Sequence, residues 1–155
     1  MSILLPKGYY KYMHTTPTIE KVRVRYGETD AMGHVYYANY FLWFEQARGS
    51  WCRDRGFTYK NIEEMGYMLP AVEAHIRYKH EIKYDDLIIV EIRLAEIRRA
   101  AMKFTYEIFN TANNKLSAEA YSWHVLMGKS RKAVTIPEEI KELLLRDPSK
   151  FERLE

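Results

Sequence analysis

The chain has 155 residues, 47% of them hydrophobic, and a formal net charge of +3. This length suits one compact domain with a substantial core, and the absence of a dense basic block argues against a nucleic-acid-binding protein. Cys52 is the single cysteine, so the chain cannot form an internal disulfide, and a reducing cytoplasm is the expected location. No apolar run approaches the length of a membrane span, and the first residues do not resemble a signal peptide.

We expect a single domain over residues 1–155, in which residues 1–17 form an irregular N-terminal arm. Apolar and basic residues then alternate over residues 18–26. This pattern predicts a strand with Val22, Val24 and Tyr26 on its buried face.

The long helix of the domain is predicted from Asn39 to Arg55, with Gly56 well placed as its C-terminal cap. Gly49 within it predicts close packing against a sheet. The helix carries an apolar stripe of Tyr40, Phe44, Ala47 and Trp51, widened at its start by Phe41, Leu42 and Trp43. We therefore expect its first turns to be covered on nearly all sides. A short polar helix is predicted from Tyr59 to Met65.

Four strand patterns follow, each with alternating apolar and polar residues. They run over residues 72–79, 87–95, 102–108 and 116–127. Asn113-Asn114 marks a hairpin turn between the last two, and a final helix begins at Ile136-Pro137-Glu138-Glu139 with Pro137 in its first position. The order of one strand, a long helix and four antiparallel strands is typical of an α+β domain in which one curved sheet wraps one helix.

A polar stretch just before the long helix carries a resemblance to a known family. It reads VRYGETDAMGHVYYANYF at residues 24–41 and is followed by FEQAR at 44–48; VEAHIRY at 72–78 and KYDDL at 83–87 add to it. Over residues 18–140 the chain resembles hot-dog-fold acyl-CoA thioesterases of the 4-hydroxybenzoyl-CoA thioesterase type, close to the YbgC-like branch. The resemblance implies a hot-dog fold, a curved antiparallel sheet around one central helix, and cofactor-free hydrolysis of an acyl-CoA to the free acid and coenzyme A.

The resemblance also implies the catalytic groups. In this family an aspartate just before the central helix acts as nucleophile or general base, and Asp30 stands at that position. The backbone N–H seven residues later, here that of Tyr37, holds the thioester oxygen. Free N–H groups at a helix start stabilise negative charge developing on that oxygen, while a carboxylate attacks the carbon or takes a proton from water. Without the motif, Asp30 would be read as an N-cap or Asx-turn residue.

His34 is a further catalytic candidate. Many YbgC-like members carry a histidine where this chain has Tyr37, so this sequence departs from their pattern. His34 either hydrogen-bonds the thioester end or tunes Asp30, or else it is a loop histidine bonded to the backbone.

The remaining residues of the stretch are assigned to binding and shape. Gly33 is expected to let the loop bend and approach substrate. The side chains of Tyr36 and Tyr37 are interpreted as pocket walls, and Asn39 as the residue that fixes the helix start. Glu28 is interpreted as a solvated loop acid.

Assembly follows from the same resemblance, which implies a homodimer or a tetramer of two dimers with active sites at the dimer interface. Glu73 on a partner strand is then a candidate binding residue, with a solvated strand face as the alternative. Arg98 and Lys103 are candidates to bind the phosphates of coenzyme A. Other basic candidates are Arg99, Lys129, Arg131 and Lys132.

Other chemistries lack their signatures. Cys52 has no histidine at helical spacing and is expected to be a buried, inert thiol. The histidines show no metal-ligand pairing, and neither a serine-hydrolase elbow nor a phosphate or dinucleotide loop is present. Two alternatives stay open: a hot-dog hydratase or dehydratase, although Asp30 and His34 lack the Asp-x-Asn-Pro-x-His spacing, and a non-catalytic acyl-CoA-binding module. The sequence does not specify the acyl group or choose between coenzyme A and acyl-carrier protein.

Overall fold

The computed structural model describes residues 10–11 and 15–155, so most of the predicted N-terminal arm lies outside the described residues. The element order is the predicted one of strand, long helix and antiparallel strands. The helices are α1 (Asn39–Asp54), α2 (Tyr59–Glu64) and α3 (Glu138–Leu144). The strands are β1 (Tyr10–Lys11), β2 (Thr18–Arg23), β3 (Ala71–Tyr78), β4 (Leu87–Ile97), β5 (Ala101–Asn110) and β6 (Lys115–Val125).

All strand pairs are antiparallel. β4, β5 and β6 form the centre of one sheet, and β3 lies at its edge beside β6. At the other edge β2 pairs with β4 from Thr18 opposite Ile92 to Arg23 opposite Leu87, and β1 continues that edge opposite Ile97. The sheet therefore has two edges, and β3 forms one of them along its whole length.

The core lies between α1 and one face of the sheet. Alternate residues of the central strands point into it, as the period of two predicts. They are Ile88, Val90, Ile92 and Leu94 on β4, Met102, Phe104, Tyr106 and Ile108 on β5, and Ala118, Ala120, Ser122 and His124 on β6. From α1 the predicted stripe is buried, and Phe44 stacks on Tyr106 with ring centroids 4.3 Å apart.

α1 begins and ends within one residue of its predicted limits. Gly56 follows it with φ of +75°, a backbone conformation that favours glycine, and a Cβ there would lie 2.8 Å from the exposed ring of Phe151, which would have to move. Gly49 differs from expectation, because a Cβ there would meet only the side chain of Arg53 and no sheet backbone. Pro137 is the N-cap of α3, one position earlier than predicted.

One burial prediction was wrong. Tyr26 is 77% exposed, because β2 ends at Arg23 and residues 26–28 form a 3-10 helix that turns the side chain outward. Phe41 and Leu42 are exposed in this protomer, so the start of α1 is covered on one side within the chain, and its cover on the other sides stays a prediction. Both faces of β3 are open too, with Ile76 its only residue that is not exposed. Within the described residues, no helix combines the length and apolar character that a bilayer crossing requires.

Candidate active site

Glu28 holds the loop that leads into α1. Its carboxylate is buried and accepts hydrogen bonds from the Arg25 backbone N–H at 2.8 Å and from Trp43 Nε1 at 3.1 Å. Its carbonyl oxygen accepts from the Tyr36 N–H at 2.9 Å and from Asn39 Nδ2 at 2.7 Å. Glu28 is therefore a buried structural acid, and its interpretation as a solvated loop residue was wrong.

Asp30 lies in a tight turn of this loop. Its N–H donates to the His34 carbonyl, its own carbonyl accepts from the Gly33 N–H, and Oδ1 accepts from the Met32 N–H at 2.8 Å. The last bond is an Asx-turn, the structural role weighed for this residue. Gly33 has φ of +80° with open space around its Cα, so it is needed for the turn rather than for close packing. Oδ2 has no backbone donor in the part of the chain that the structure describes, and it lies 3.8 Å from His34 Nε2.

His34 lies between two carboxylates. Its Nε2 faces Asp30 Oδ2, and its Nδ1 is 3.7 Å from Glu81 Oε2. Both distances exceed a hydrogen bond, so each leaves room for a small shift or a bridging molecule. Lys83 holds the pKa of Glu81 below its ordinary value, with His34 as a smaller cause, so Glu81 is ionised at neutral pH.

These groups border a cavity of about 400 Å³, called here the Asp30 cavity, which is lined among others by Asp30, His34, Tyr36, Tyr37, Tyr40 and Tyr78. The Tyr78 hydroxyl donates to the Tyr37 carbonyl at 2.8 Å and ties β3 to the start of α1. Burial, with Tyr78 as a second cause, raises the pKa of Tyr40 to about 12, so this phenol is neutral. Aromatic walls with a few polar groups are typical of a small-molecule site.

The Tyr37 N–H lies where α1 starts, two residues before Asn39. It has no acceptor among the described residues, whereas the Asn39 N–H, two residues further along the chain, donates to the Tyr36 carbonyl. A free N–H at the positive end of a sixteen-residue helix attracts an oxygen that carries negative charge.

The three candidates on the strands lie elsewhere in the protomer. Glu73 accepts from the Tyr121 hydroxyl at 2.7 Å, and Lys103 Nζ lies 4.4 Å from the Tyr121 ring. Arg98 lies over the ring of Trp123 at 4.2 Å. These side chains share the sheet face that points away from α1, and none of them lines the Asp30 cavity of the same chain.

Sequence reasoning missed a polar network under α1. Arg48 Nη1 donates to the Tyr106 hydroxyl at 3.0 Å, which lies 2.7 Å from Ser122 Oγ, and Ser122 Oγ lies 2.8 Å from His124 Nε2. The signal was present, because Ser122 and His124 occupy inward positions of a strand pattern. A second cavity of about 740 Å³, called here the Arg48 cavity, opens above this network; its lining includes Arg48, Arg53, Tyr59, Leu69, Ala71 and His124.

Cys52 is buried, and burial raises the pKa of its thiol to about 12, so it stays protonated and unreactive at neutral pH. Among the residues that the structure describes, no three His, Cys, Asp or Glu side chains converge as metal ligands would.

Comparison with known proteins assigns the chain to a protein family. A family described as the thioesterase-like superfamily matches residues 24–144. A putative esterase of Aquifex aeolicus is 38% identical over 83% of this chain and 98% of its own length, and the putative acyl-CoA thioesterase YneP of Bacillus subtilis is 36% identical over 71% and 79%.

Solved structures agree with this assignment. A hypothetical protein of Aquifex aeolicus, 36% identical, superposes with a TM-score of 0.77 over 82% of this chain and 98% of its own. A DHNA-CoA thioesterase of Staphylococcus aureus, 28% identical, gives 0.76 over 81% and 85%. The predicted family, fold and enzyme class are confirmed: the chain belongs to the thioesterase-like superfamily, has the hot-dog fold of its thioesterases, and is a thioester hydrolase.

Proposed function

We propose that this chain hydrolyses an acyl-CoA to the free acid and coenzyme A, with Asp30 as the catalytic carboxylate. The observation that carries the proposal is that Asp30 and Tyr37 line the same cavity, and that the Tyr37 N–H has no acceptor among the described residues. Relatives named acyl-CoA thioesterase, such as YneP and YbgC of Haemophilus influenzae, support the choice of substrate.

The reaction needs a nucleophile and a stabilised oxyanion. In the route we favour, Asp30 takes a proton from water as the water oxygen bonds to the thioester carbon. The negative charge on the carbonyl oxygen is held by the Tyr37 N–H and the helix dipole. Collapse of this intermediate breaks the carbon–sulfur bond, and the coenzyme A thiolate leaves and takes up a proton.

The alternative route is covalent. Asp30 attacks the thioester carbon, the thiolate leaves, and water hydrolyses the mixed anhydride. We favour the general-base route because the Met32 N–H occupies Oδ1 and His34 stands beside Oδ2, an arrangement suited to holding a water.

We extend the proposal to assembly and location. The chain functions as one domain over residues 1–155 in the cytoplasm, with residues 1–17 as its arm. It forms a homodimer, or a tetramer of two dimers, with active sites at the dimer interface. The exposed edge of β3 and the exposed side chains of Tyr36, Tyr37, Phe41 and Leu42 support this assembly, since open edges and apolar patches favour association.

Substrate binding in this assembly involves both protomers. We assign contacts to the thioester end to Gly33, Tyr36, Asn39 and His34, and contacts from the partner's strand to Glu73. Arg98 and Lys103 bind the coenzyme A phosphates, for which their positive charge on one sheet face is suited.

The test replaces Asp30 by asparagine, which keeps the oxygen that accepts from Met32 and removes the charge. We expect hydrolysis of acyl-CoA thioesters to fall at least about a hundredfold with the fold intact. Asp85→Asn is the matched control, because Asp85 is an exposed loop acid with φ of 65°, a conformation asparagine tolerates. Activity of Asp30→Asn within a fewfold of wild type would refute the role. Enoyl-CoA hydration, assayed with the same proteins, tests the hydratase alternative.

A single turnover in ¹⁸O-water with excess enzyme, combined with trapping of any acyl adduct, tests for the covalent route. The general-base route puts the label only into the released acid. Label found in the Asp30 carboxylate, or an acyl adduct trapped there, would establish the covalent route instead.

A further inference from the structure

Arg48 carries a positive charge without a counter-ion. It lies half-buried on the sheet-facing side of α1, and no carboxylate of the described residues lies within salt-bridge distance of it. Two hydroxyl groups contact it: Nη1 donates to the Tyr106 hydroxyl, and the Tyr59 hydroxyl lies beside the guanidinium. A half-buried arginine is ordinarily paired with an acid, so this one lacks its usual partner.

The neighbouring groups do not supply negative charge. Burial raises the pKa of both Tyr59 and Tyr106, which keeps them as neutral phenols. Burial also lowers the pKa of His124 to about 4, with the Arg48 charge as second cause, so the imidazole is neutral. The network beneath Arg48 is therefore uncharged at physiological pH.

The hydrogen-bond direction in this network is consistent from end to end. Arg48 donates to the Tyr106 hydroxyl, Tyr106 donates to Ser122, and Ser122 donates to His124 Nε2. This direction requires the proton of His124 to be on Nδ1, which lies 3.4 Å from the Leu69 carbonyl. In this arrangement every hydroxyl proton is used within the network. A guanidinium has five N–H donors, so Arg48 keeps donors beyond those that Tyr106 and Tyr59 engage.

The Arg48 cavity gives these donors access to a ligand. It has a volume of about 740 Å³, and both Arg48 and His124 line it. We infer that this cavity is a carboxylate-binding site, in which the guanidinium of Arg48 receives the carboxylate of a small organic acid.

The rim of the cavity favours a small acid over coenzyme A itself. Three acids line the cavity, Glu20, Glu45 and Glu63, together with two arginines besides Arg48, which are Arg53 and Arg153. Glu20 pairs with Arg153, while Glu45 and Glu63 are exposed. Apart from Arg48, the charged side chains of the lining therefore sum to one negative charge, which disfavours the several negative charges of a coenzyme A nucleotide, whereas one carboxylate meets the half-buried Arg48.

Two sources would present this carboxylate: a free acid, or an acyl group with a carboxylate at its far end. The second source rests on the proposed function, and the first does not. A binding measurement on the resting protein therefore tests the site even if acyl-CoA hydrolysis is not the activity.

The binding experiment titrates the purified protein with benzoate and with benzamide, its neutral analogue, by calorimetry. We expect saturable benzoate binding at millimolar concentration or tighter, and at least tenfold weaker binding of benzamide, since charge-assisted bonds to arginine are the main contact. Coenzyme A titrated alone should not compete. Equal binding of the two ligands, displacement of benzoate by coenzyme A, or no benzoate binding would overturn the site.

Variants locate the binding. Arg48→Met should weaken benzoate at least tenfold, while Arg23→Met, which removes an exposed arginine on β2 outside the cavity, should not. Because Arg48→Met leaves buried hydroxyls without their donor, Arg48→Lys serves as a second variant that keeps the charge; it should retain part of the affinity. Benzoate binding unchanged in both Arg48 variants would place the ligand elsewhere and refute the proposal.

Kinetics then separate the sources. Glutaryl-CoA and valeryl-CoA differ in the terminal carboxylate. A preference of wild type for glutaryl-CoA that is lost in Arg48→Met and retained in part in Arg48→Lys assigns the site to the acyl group. Benzoate binding without such a preference assigns it to a free acid.

Discussion

Replacement of Glu28 by alanine removes the carboxylate around which the site loop is built. Two donors then lose their acceptor, the Arg25 backbone N–H and Trp43 Nε1, and Trp43 is only 2% exposed. A buried donor left unpaired costs about 1–3 kcal/mol. The ion pair with the Arg25 side chain, which is 77% exposed, adds less than about 1 kcal/mol. We expect Glu28→Ala to lower the free energy of unfolding by about 2–4 kcal/mol.

Chemical denaturation of a matched set checks this magnitude. Glu28→Gln keeps an acceptor oxygen and the side-chain shape, so its free energy of unfolding should be about 1 kcal/mol below that of wild type. Glu142→Ala, an exposed acid on α3, should stay within about 0.5 kcal/mol of wild type. A double-mutant cycle of Glu28→Ala with Trp43→Phe should give a coupling of about 1–2 kcal/mol, because the second change removes one of the stranded donors.

The same variant tests the link between this anchor and catalysis. The Glu28 backbone also binds Tyr36 and Asn39, so a shift of its chain moves the turn that carries Asp30. Turnover of an acyl-CoA should fall more than tenfold in Glu28→Ala and much less in Glu28→Gln. A free energy of unfolding for Glu28→Ala within about 0.5 kcal/mol of the wild-type value would refute the assigned role of the carboxylate.

Further predictions concern assembly, pH and the loop. Light scattering should give at least twice the 18.5 kDa chain mass, and a monomer would refute the dimer. Burial lowers the pKa of His124 from 6.5 to about 4, so the folded state holds the imidazole neutral where the unfolded state protonates it. The free energy of unfolding is therefore unaffected by this group above pH 6.5 and falls by about 3 kcal/mol as pH falls to 4. His124→Gln should flatten this pH dependence, and an unchanged slope of unfolding free energy against pH would contradict the prediction. Gly33→Ala, at φ of +80°, should lower the free energy of unfolding by about 1–2 kcal/mol. Gly27→Ala, at a position with open space and no positive φ, should lower it by less than about 0.5 kcal/mol. Equal effects of the two substitutions would refute the requirement for glycine in the turn at Gly33.

Periodicity predicted most of the fold because alternation and helical stripes report directly which face of an element is buried. It failed at Tyr26, where three residues of 3-10 helix break the alternation, and no local pattern marks that break. Periodicity also does not show what covers Phe41 and Leu42, because an apolar surface that faces solvent in one protomer has the same sequence as a core surface.

The sequence motif of the site could be predicted, whereas the long-range contacts that hold the site in place could not. The motif identified the turn at Asp30 and the helix start, since turn and cap residues act locally. The burial of Glu28 depends on Trp43, fifteen residues away, and the pairing of Arg48 with Tyr106 joins residues 58 apart in sequence. Such contacts follow from the packing of α1 on the sheet and not from spacing along the chain. The clue that remained was chemical, because a buried indole N–H requires an acceptor.

The sheet topology has a consequence for synthesis of the chain. The ribosome completes α1 before any of the strands β3 to β6, and the last residue of β6 follows the end of the helix by about 70 residues. At a translation rate of about 5–20 residues per second, the strands that bury the aromatic face of the helix are completed on the order of 4–14 s after the helix itself. During that interval Trp43, Phe44 and Trp51 are open to water or to other nascent chains. We therefore expect slower synthesis or a smaller chaperone supply to lower the yield of folded protein in a cell even when native stability is unchanged.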